Sequence, residues 1–265
     1  MTAMPQDALA RIPGWQHADW DLLEGGQTNR TWLLIAGNRK AVLKVDAAPR
    51  GAPFNGRLFE QDIQTRAAKV GLASRVLFAD ETSYLTEYIE GDVWTAADLE
   101  KEENLIALAR VLRRLHALPL SGRRFDIVGA AHRYRDCIDS GKSAVALDYV
   151  DVIEKYHAPP VLCCCHNDLV AANIIAIAIT DLPDLRLLDW EYACDNDPLF
   201  DLATVVAHHN LSASLATCLL DAYFEGDGER WREKFEQQVI LYGALHWLWS
   251  ASGASATSGF EAREV

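Results

Sequence analysis

A nine-residue segment, Cys165-His166-Asn167-Asp168-Leu169-Val170-Ala171-Ala172-Asn173, carries the pattern H-x-D-x-x-x-x-N directly after one apolar run and directly before another. These residue types suit transfer of a phosphoryl group to an alcohol. That reaction needs little covalent help: one carboxylate to orient the hydroxyl and accept its proton, and oxygen ligands for Mg²⁺ at a fixed offset. Asp168 fits the first task. The side-chain oxygen of Asn173 fits the second, because magnesium takes hard oxygen donors and often only a few from protein. A second carboxylate is then required across the metal. Asp189 supplies it, sixteen residues after Asn173, at the tip of the apolar run 185–188 in Leu-Leu-Asp-Trp-Glu-Tyr. A ligand at the end of a strand is held more rigidly than one on a loop. By residue usage the motif alone would arise in on the order of one chain in a hundred; the strand-borne Asp and the flanking strand patterns make it specific. The plainer alternative is a polar turn whose Asp and Asn bond their own backbone.

A nucleotide needs its own cradle, and the upstream sequence offers one. Leu23-Glu24-Gly25-Gly26-Gln27-Thr28-Asn29-Arg30 is a glycine turn between two strand patterns. Glycines let backbone N–H groups come close to phosphates. Lys44 ends the strand pattern and could hold the α- and β-phosphates, and Glu60 on the following helix is the candidate that keeps Lys44 aimed. Either could instead be a solvated surface charge, as most Lys and Glu are. The order of glycine turn, strand Lys and helix Glu favours the nucleotide reading. Ser140-Gly141-Lys142-Ser143 ends like a phosphate-binding P-loop, but Asp136 stands where the earlier glycine would be and no strand precedes it. It reads as a solvated loop. None of the six cysteines forms a C-x-x-C pair. Cys163-Cys164-Cys165 beside His166 could suggest a metal site, yet adjacent residues on an extended chain point to opposite faces and cannot all reach one ion. They read as small buried apolar residues, with no disulfide framework.

These residues need elements to position them. The pattern over 20–45 is strand, glycine turn, strand, turn, strand, with Gly37-Asn38 as a hairpin turn between 32–35 and 41–45. A helix is predicted over 58–70 from the spacing of Leu58, Phe59, Ile63, Ala67 and Val70, closed by Gly71. Strands follow over 75–78 and 83–88. Beyond Gly91 the pattern turns helical, beginning with an amphipathic helix over 98–118 that carries Leu105, Leu108, Leu112 and Leu115 on one face. A further helical stretch spans 133–157 and ends at Pro159-Pro160. A buried strand over 161–165 leads into the catalytic motif. The runs 174–179 and 185–188 form a hairpin around residues 181–184, and helices are predicted over 199–208, 211–224 and 230–250. The tail from 251 is expected to fray. No internal repeat is present. The expected fold is α+β and two-lobed: an N-terminal nucleotide-binding lobe over 1–88 with a small antiparallel sheet, and a larger, mainly helical catalytic and substrate-binding lobe over 89–265.

The chain of 265 residues is 50% apolar and 24% charged, an ordinary globular composition. The longest apolar run, 174–179, is far short of the roughly 20 residues a membrane helix needs. The N-terminus lacks a basic segment followed by an apolar stretch, so a cytoplasmic protein without membrane or signal segments is expected. A formal net charge of −13 argues against a sequence-independent grip on nucleic acid. It is compatible with a cationic substrate or bound magnesium, and equally with solubility alone. Oligomeric state is left open.

The motifs resemble the family that includes aminoglycoside phosphotransferases, choline and ethanolamine kinases and bacterial thiamine kinases, which share a protein-kinase-like fold. The resemblance covers nearly the whole chain, from Glu24-Gly25-Gly26-Gln27-Thr28-Asn29 to the tryptophan-rich last helix. It implies an ATP- and Mg²⁺-dependent phosphotransferase acting on a small-molecule alcohol. Gly25, Gly26, Thr28, Asn29, Lys44 and Glu60 would then bind ATP, and the backbone of Glu87-Tyr88-Ile89-Glu90-Gly91 would receive the adenine. His166 would support the catalytic loop rather than react, and Asp201 would anchor that loop from the next helix. His-Asn-Asp-Leu-Val and Asp-Trp-Glu-Tyr-Ala followed by Asn-Asp-Pro look most like bacterial choline/ethanolamine kinases, with thiamine kinases next and aminoglycoside or amino-sugar acceptors as alternatives. A catalytically silent nucleotide-binding module is the non-enzyme alternative. Candidate acceptor residues are Glu191, His246, Trp247 and Trp249, since quaternary ammonium groups bind against aromatic faces. Choline kinases carry W-x-x-W where this chain has His246 and Trp249. Where they often place a Glu after the residue matching Asp201, this chain has His208-His209, which read as polar wall or surface rather than metal ligands.

Overall fold

The structure is a computed structural model that describes residues 5–23, 30–46, 48–50, 56–157, 161–177 and 184–253. Its contacts divide the described residues into two compact units, one running to Glu90 and the other from Gly91 to Gly253. The glycine turn at 24–29, Pro159-Pro160, the turn at 181–183 and the tail from 254 lie outside the described residues.

The first unit is built on an antiparallel sheet of five strands in the order β1 (Asp19–Leu23), β2 (Arg30–Ala36), β3 (Arg39–Val45), β5 (Ser83–Glu87), β4 (Val76–Ala79). The predicted turn between β2 and β3 forms, with Ala36 opposite Arg39 and Gly37 at φ +65°, a left-handed conformation that glycine adopts without a Cβ penalty. Side-chain alternation along β3 buries Ala41, Leu43 and Val45 with Trp32, Leu34 and Leu85. The short helix α1 (Pro5–Leu9), which the sequence pattern did not predict, adds Ala8 and Leu9 to this core, followed by Ile12 and Trp15. Helix α2 (Arg57–Lys69) covers the other face. Its Gln64 accepts a 3.0 Å hydrogen bond from the hydroxyl of Tyr84, which stands opposite Lys44 in the β3–β5 ladder. Gly71 at φ +70° ends α2 as expected, with Leu72 N–H bonded back to Ala67 O.

Arg57 departs from the surface role its charge suggests. It is fully buried, pairs through Nε and Nη2 with both carboxylate oxygens of Asp46 (2.6 and 2.9 Å) and through Nη1 with Glu60 (2.9 Å), and lies over the Tyr84 ring. A planar guanidinium can satisfy two carboxylates at once, which an ammonium cannot do with the same geometry.

The second unit begins with β6 (Asp92–Val93) and a capped 3-10 turn, in which Asp98 accepts from the Thr95 backbone and hydroxyl. This cap takes up the first residues of the predicted helix, so α3 runs over Glu102–His116. The leucine stripe of α3 is fully buried. The predicted stretch over 133–157 is two helices, α4 (Ile127–Asp136) and α5 (Ser143–Tyr156), because Asp126 caps a start six residues earlier and Ser140–Lys142 forms a 3-10 turn between them. The P-loop look-alike is thus a link between helices. Strand β7 (Cys163–Cys165) pairs with β10 (Cys194–Asn196), while β8 (Ile174–Ile177) pairs with β6 and β9 (Asp184–Leu187). Helices α6 (Pro198–His208), α7 (Ala213–Tyr223) and α8 (Arg232–Ala251) complete the unit, with α6 and α5 packed on α8 and α3 on α7. No helix among the described residues is long and apolar enough to cross a membrane.

Candidate active site

Strand β7 delivers the motif. The backbone leaves it through His166 and Asn167, whose N–H groups donate to Asp201 Oδ2 and Oδ1 at 2.9 and 2.7 Å. Asp201 is fully buried on the first turn of α6 and also takes a 3.0 Å contact from His116 Nε2. A carboxylate that accepts several N–H bonds is held rigidly and keeps its charge compensated. Asn167 stands at φ +65° and Asp189 at φ +59°. Two non-glycine residues in the left-handed region beside one motif represent backbone strain of about 1–3 kcal/mol each, and such strain concentrates where function demands a particular direction of a side chain. Asn167 is kept there by Nδ2 donating to Tyr192 O (3.0 Å) and by Asn196 Nδ2 donating to its Oδ1 (2.8 Å).

Asp168 and Asn173 are brought together. Asn173 Nδ2 donates to both the Oδ2 and the backbone oxygen of Asp168, each at 2.9 Å. This leaves Asn173 Oδ1 without a donor among the described residues. The Asn173 backbone in turn accepts from Leu188 N–H at 2.8 Å, and His166 Nε2 donates to Leu188 O at 2.8 Å. The segment holding Asp189 is therefore tied to the loop over 166–173 through both backbone groups of its neighbour Leu188. Trp190 closes the floor, fully buried, with its Nε1–H on Leu187 O at 3.1 Å and its ring edge-on to His166. Asp168, Asn173 and Asp189 are each partly open to solvent. Their donor set, oxygen only with one amide oxygen lacking a donor, fits a magnesium ion.

Three phenols that sequence reasoning missed, Tyr134, Tyr192 and Tyr242, lie close enough to Asp168 to feel its charge. Burial pushes the Tyr134 phenol up to about 12, and it holds Tyr192 well above the usual range too, with Tyr134 and the carboxylates of Glu191, Asp168 and Asp189 adding to the effect. Tyr242 is raised by burial and by Asp168. All three stay neutral at physiological pH. Glu191 is buried at 3% exposure in this neighbourhood. Tyr242 was legible in principle, because residues 242, 246 and 249 lie on one face of α8 at helical spacing. The His246 ring stacks on Tyr242 and tilts against Trp249 (centroids 5.8 and 5.7 Å), and His208 Nδ1 lies 2.9 Å from the Tyr242 hydroxyl. Burial holds His208, His209 and His246 below the ordinary imidazole range, His208 to about 4 with help from its two histidine neighbours. Trp247 points elsewhere and packs on Tyr149 of α5 at 4.8 Å.

His116, Cys163 and Cys165 bring one donor atom each within 4.8 Å of one another. Adjacent cysteines point to opposite faces as expected, but the alternate residues Cys163 and Cys165 of β7 share a face. The cluster is complete without an ion: His116 uses Nδ1 on the Tyr223 hydroxyl (2.7 Å) and Nε2 on Asp201, while Cys163 and Cys165 donate to the carbonyls of Asn196 and Asp197.

In the first unit, Lys44 lies on the sheet face that α2 covers, the face of Tyr84 and Gln64. Glu60 is fully buried on α2, with Oε2 on Arg57 and Oε1 without a donor among the described residues. Glu87 pairs with Arg75, and its N–H is taken by Arg75 O. Ile89 makes no backbone hydrogen bond among the described residues, which leaves its N–H and C=O available.

The family model for the phosphotransferase enzyme family matches residues 19–235. The chain belongs to that family. Among relatives of this phosphotransferase, protein LicA of Haemophilus influenzae is 30% identical over 80% of the chain, which spans 65% of that protein's length. A thiamine kinase of Salmonella paratyphi B is 29% identical over 66% of the chain and 70% of its own. Solved LicA structures share the fold: one in complex with AMP superposes with a TM-score of 0.76 at 20% identity, covering 98% of this chain and 92% of that one. The choline kinase LicA from Streptococcus pneumoniae gives 0.74 at 21% identity over 91% and 88%. The two-part architecture, sheet-rich first and mainly helical second, is the kinase-like fold of these structures.

Proposed function

We propose that this phosphotransferase moves the γ-phosphate of ATP onto the hydroxyl of a small cationic alcohol, with choline or ethanolamine as first candidates. The observation that carries this reading is the Asp168–Asn173 pair, fixed by hydrogen bonds and joined through Leu188 to Asp189. Asp168 accepts the acceptor hydroxyl's proton and aims its oxygen at the phosphorus. Asn173 Oδ1 and Asp189 would hold Mg²⁺, which when bound neutralises charge on the phosphates. His166 bonds Leu188 O and so has a positioning role. The unit ending at Glu90 binds the nucleotide, with Gly25, Gly26, Thr28 and Asn29 near the phosphates, Lys44 and Glu60 as the phosphate anchor, and the backbone from Glu87 to Ile89 facing the adenine.

Three carboxylates, Asp168, Asp189 and Glu191, beside phenols that stay neutral support a cationic acceptor, and Trp249 offers an aromatic face worth about 0.5–2 kcal/mol to such a cation. The LicA relatives agree with this. Thiamine, also a cationic alcohol, is the second reading; the thiamine kinase relatives favour it, and His208 and His246 depart from the choline kinase pattern. The test is ATP consumption with Mg²⁺ across choline, ethanolamine, thiamine, amino sugars and aminoglycosides. Turnover on choline or ethanolamine supports the first reading and turnover on thiamine the second. Turnover confined to neutral acceptors would overturn both.

A further inference from the structure

Helix α6 touches the catalytic loop twice. Its first turn contributes Asp201 to the N–H groups of His166 and Asn167. The residue that caps its C-terminus contributes something sequence reasoning passed over: His209 Nε2 accepts the N–H of Ala171 at 3.1 Å. Ala171 opens the 3-10 turn Ala171–Asn173, and the first N–H groups of a helical turn have no partner within it. Ala171 is also only 4% exposed, which leaves little access for a competing water. His209 is held at its post by the end of α6 itself. It is the C-cap, Asn210 follows at φ +50°, and Leu211 N–H returns to Val206 O at 3.0 Å, a Schellman closure. Residues 201 and 209 stand eight positions apart, about 12 Å along a helix. That reach spans the loop from its entry at His166 to the turn that ends on Asn173.

We infer that His209 is a positioning residue for the phosphoryl-transfer site, fixing the Ala171–Asn173 turn and hence Asn173 Oδ1, so that α6 clamps the catalytic loop at both ends. The inference rests on the proposed role of Asn173 for its effect on turnover, but not for its structural content. An imidazole nitrogen that accepts an N–H carries no proton, so His209 must be the Nδ1–H tautomer, the other nitrogen being the donor. Glutamine can place a carbonyl oxygen where Nε2 stands. Leucine keeps the bulk and offers no acceptor.

The experiment compares wild type, His209→Gln and His209→Leu by three measurements. Long-range ¹H–¹⁵N correlation spectra at neutral pH should show His209 protonated on Nδ1. Hydrogen exchange of the Ala171 amide should accelerate about tenfold in His209→Leu and stay near wild type in His209→Gln, the change expected for one buried hydrogen bond. The Mg²⁺ concentration giving half-maximal ATP turnover should rise about tenfold in His209→Leu and be restored in His209→Gln. A proton on Nε2, an Ala171 amide indifferent to both variants, or equal damage in both would overturn the inference. If wild type turns over none of the acceptors, the proposed function fails, while the tautomer and the exchange rate still decide the role of His209.

Discussion

At the scale of single residues, the proposed chemistry concentrates in Asp168. A general base contributes typically about 10²–10⁴-fold to rate, so Asp168→Asn should lower kcat by about that factor. Asp168 is half-buried and its partner Asn173 remains to fill the space, so the thermal midpoint and nucleotide affinity should hold. Steady-state kinetics beside a fluorescent-nucleotide titration separate the two, and unchanged kcat would remove Asp168 from its role. A second prediction concerns His208. Its imidazole sits near 4 in the fold against about 6.5 in an unfolded chain, because burial and two histidine neighbours oppose its charge. Between those values the unfolded state binds more protons, so this contribution to stability is complete above about pH 6.5 and is lost as pH falls toward 4. His208 is exposed to water, and solvent screening cuts the effect to a small one. The drop in thermal midpoint between pH 7.5 and 5 should be about 2 °C smaller in His208→Gln than in wild type. The pairing of Asp168 with Asn173, and the tie of the segment before Asp189 to the same loop, were legible because strands set these residues at fixed offsets in the chain. Tyr134 and His209 were not, because each acts through a partner dozens of residues away on another element, and local spacing carries no trace of that. Arg57 has Glu60 three residues on in α2, but its pairing with Asp46 ahead of the helix and its burial leave no local pattern.

At the scale of elements, periodicity located the strands and helices that carry a long apolar face, such as β3 and α3. Their ends followed different rules. Asp126 begins α4 by capping Gly129 N–H at 2.9 Å, and the leucine stripe of α3 starts only after the Thr95–Asp98 cap. The strands β6 and β10 are two and three residues long, too short for any alternation to show, and exist only through pairing with β8 and β7. Helix α2 illustrates what pairing can hide: two carboxylates, Asp46 and Glu60, converge on Arg57 in a nearly dry site, with Arg50 also paired to Asp46 at 2.9 Å, so that two guanidiniums balance two carboxylates. Removing one member of such a set leaves charge uncompensated, at about 3–5 kcal/mol. Arg57→Leu should therefore lower stability by about that amount, read from urea unfolding. Arg57→Lys should recover only part of it, since an ammonium lacks the fork that spans both carboxylates. A leucine variant as stable as wild type would mean that the cluster contributes nothing to the fold. Because Glu60 is also the proposed support of Lys44, the nucleotide KM should rise in the same variants.

At the scale of the whole molecule, the sequence carries 25 Lys and Arg against 38 Asp and Glu, and the formal charge of −13 is the one property that acts beyond contact distance. Such a field raises the local concentration of cations and is screened by salt, with a Debye length of about 10 Å at 0.1 M. It bears on the acceptor in a way that separates charge from shape. If the acceptor is a cation drawn toward Asp168, Asp189 and Glu191, its KM should rise about two- to fivefold between 20 and 300 mM NaCl with ATP and Mg²⁺ saturating. A neutral isostere, 3,3-dimethyl-1-butanol in place of choline, lacks the charge and keeps the shape. Its KM should start higher and change by less than about twofold over the same range. The ratio of the two KM values therefore narrows with salt if electrostatics selects the acceptor, and stays constant if Tyr242, His246 and Trp249 select it by packing alone. A constant ratio would leave the acidity of the chain as a matter of solubility, and would move the search for specificity to the imidazoles and phenols of α6 and α8.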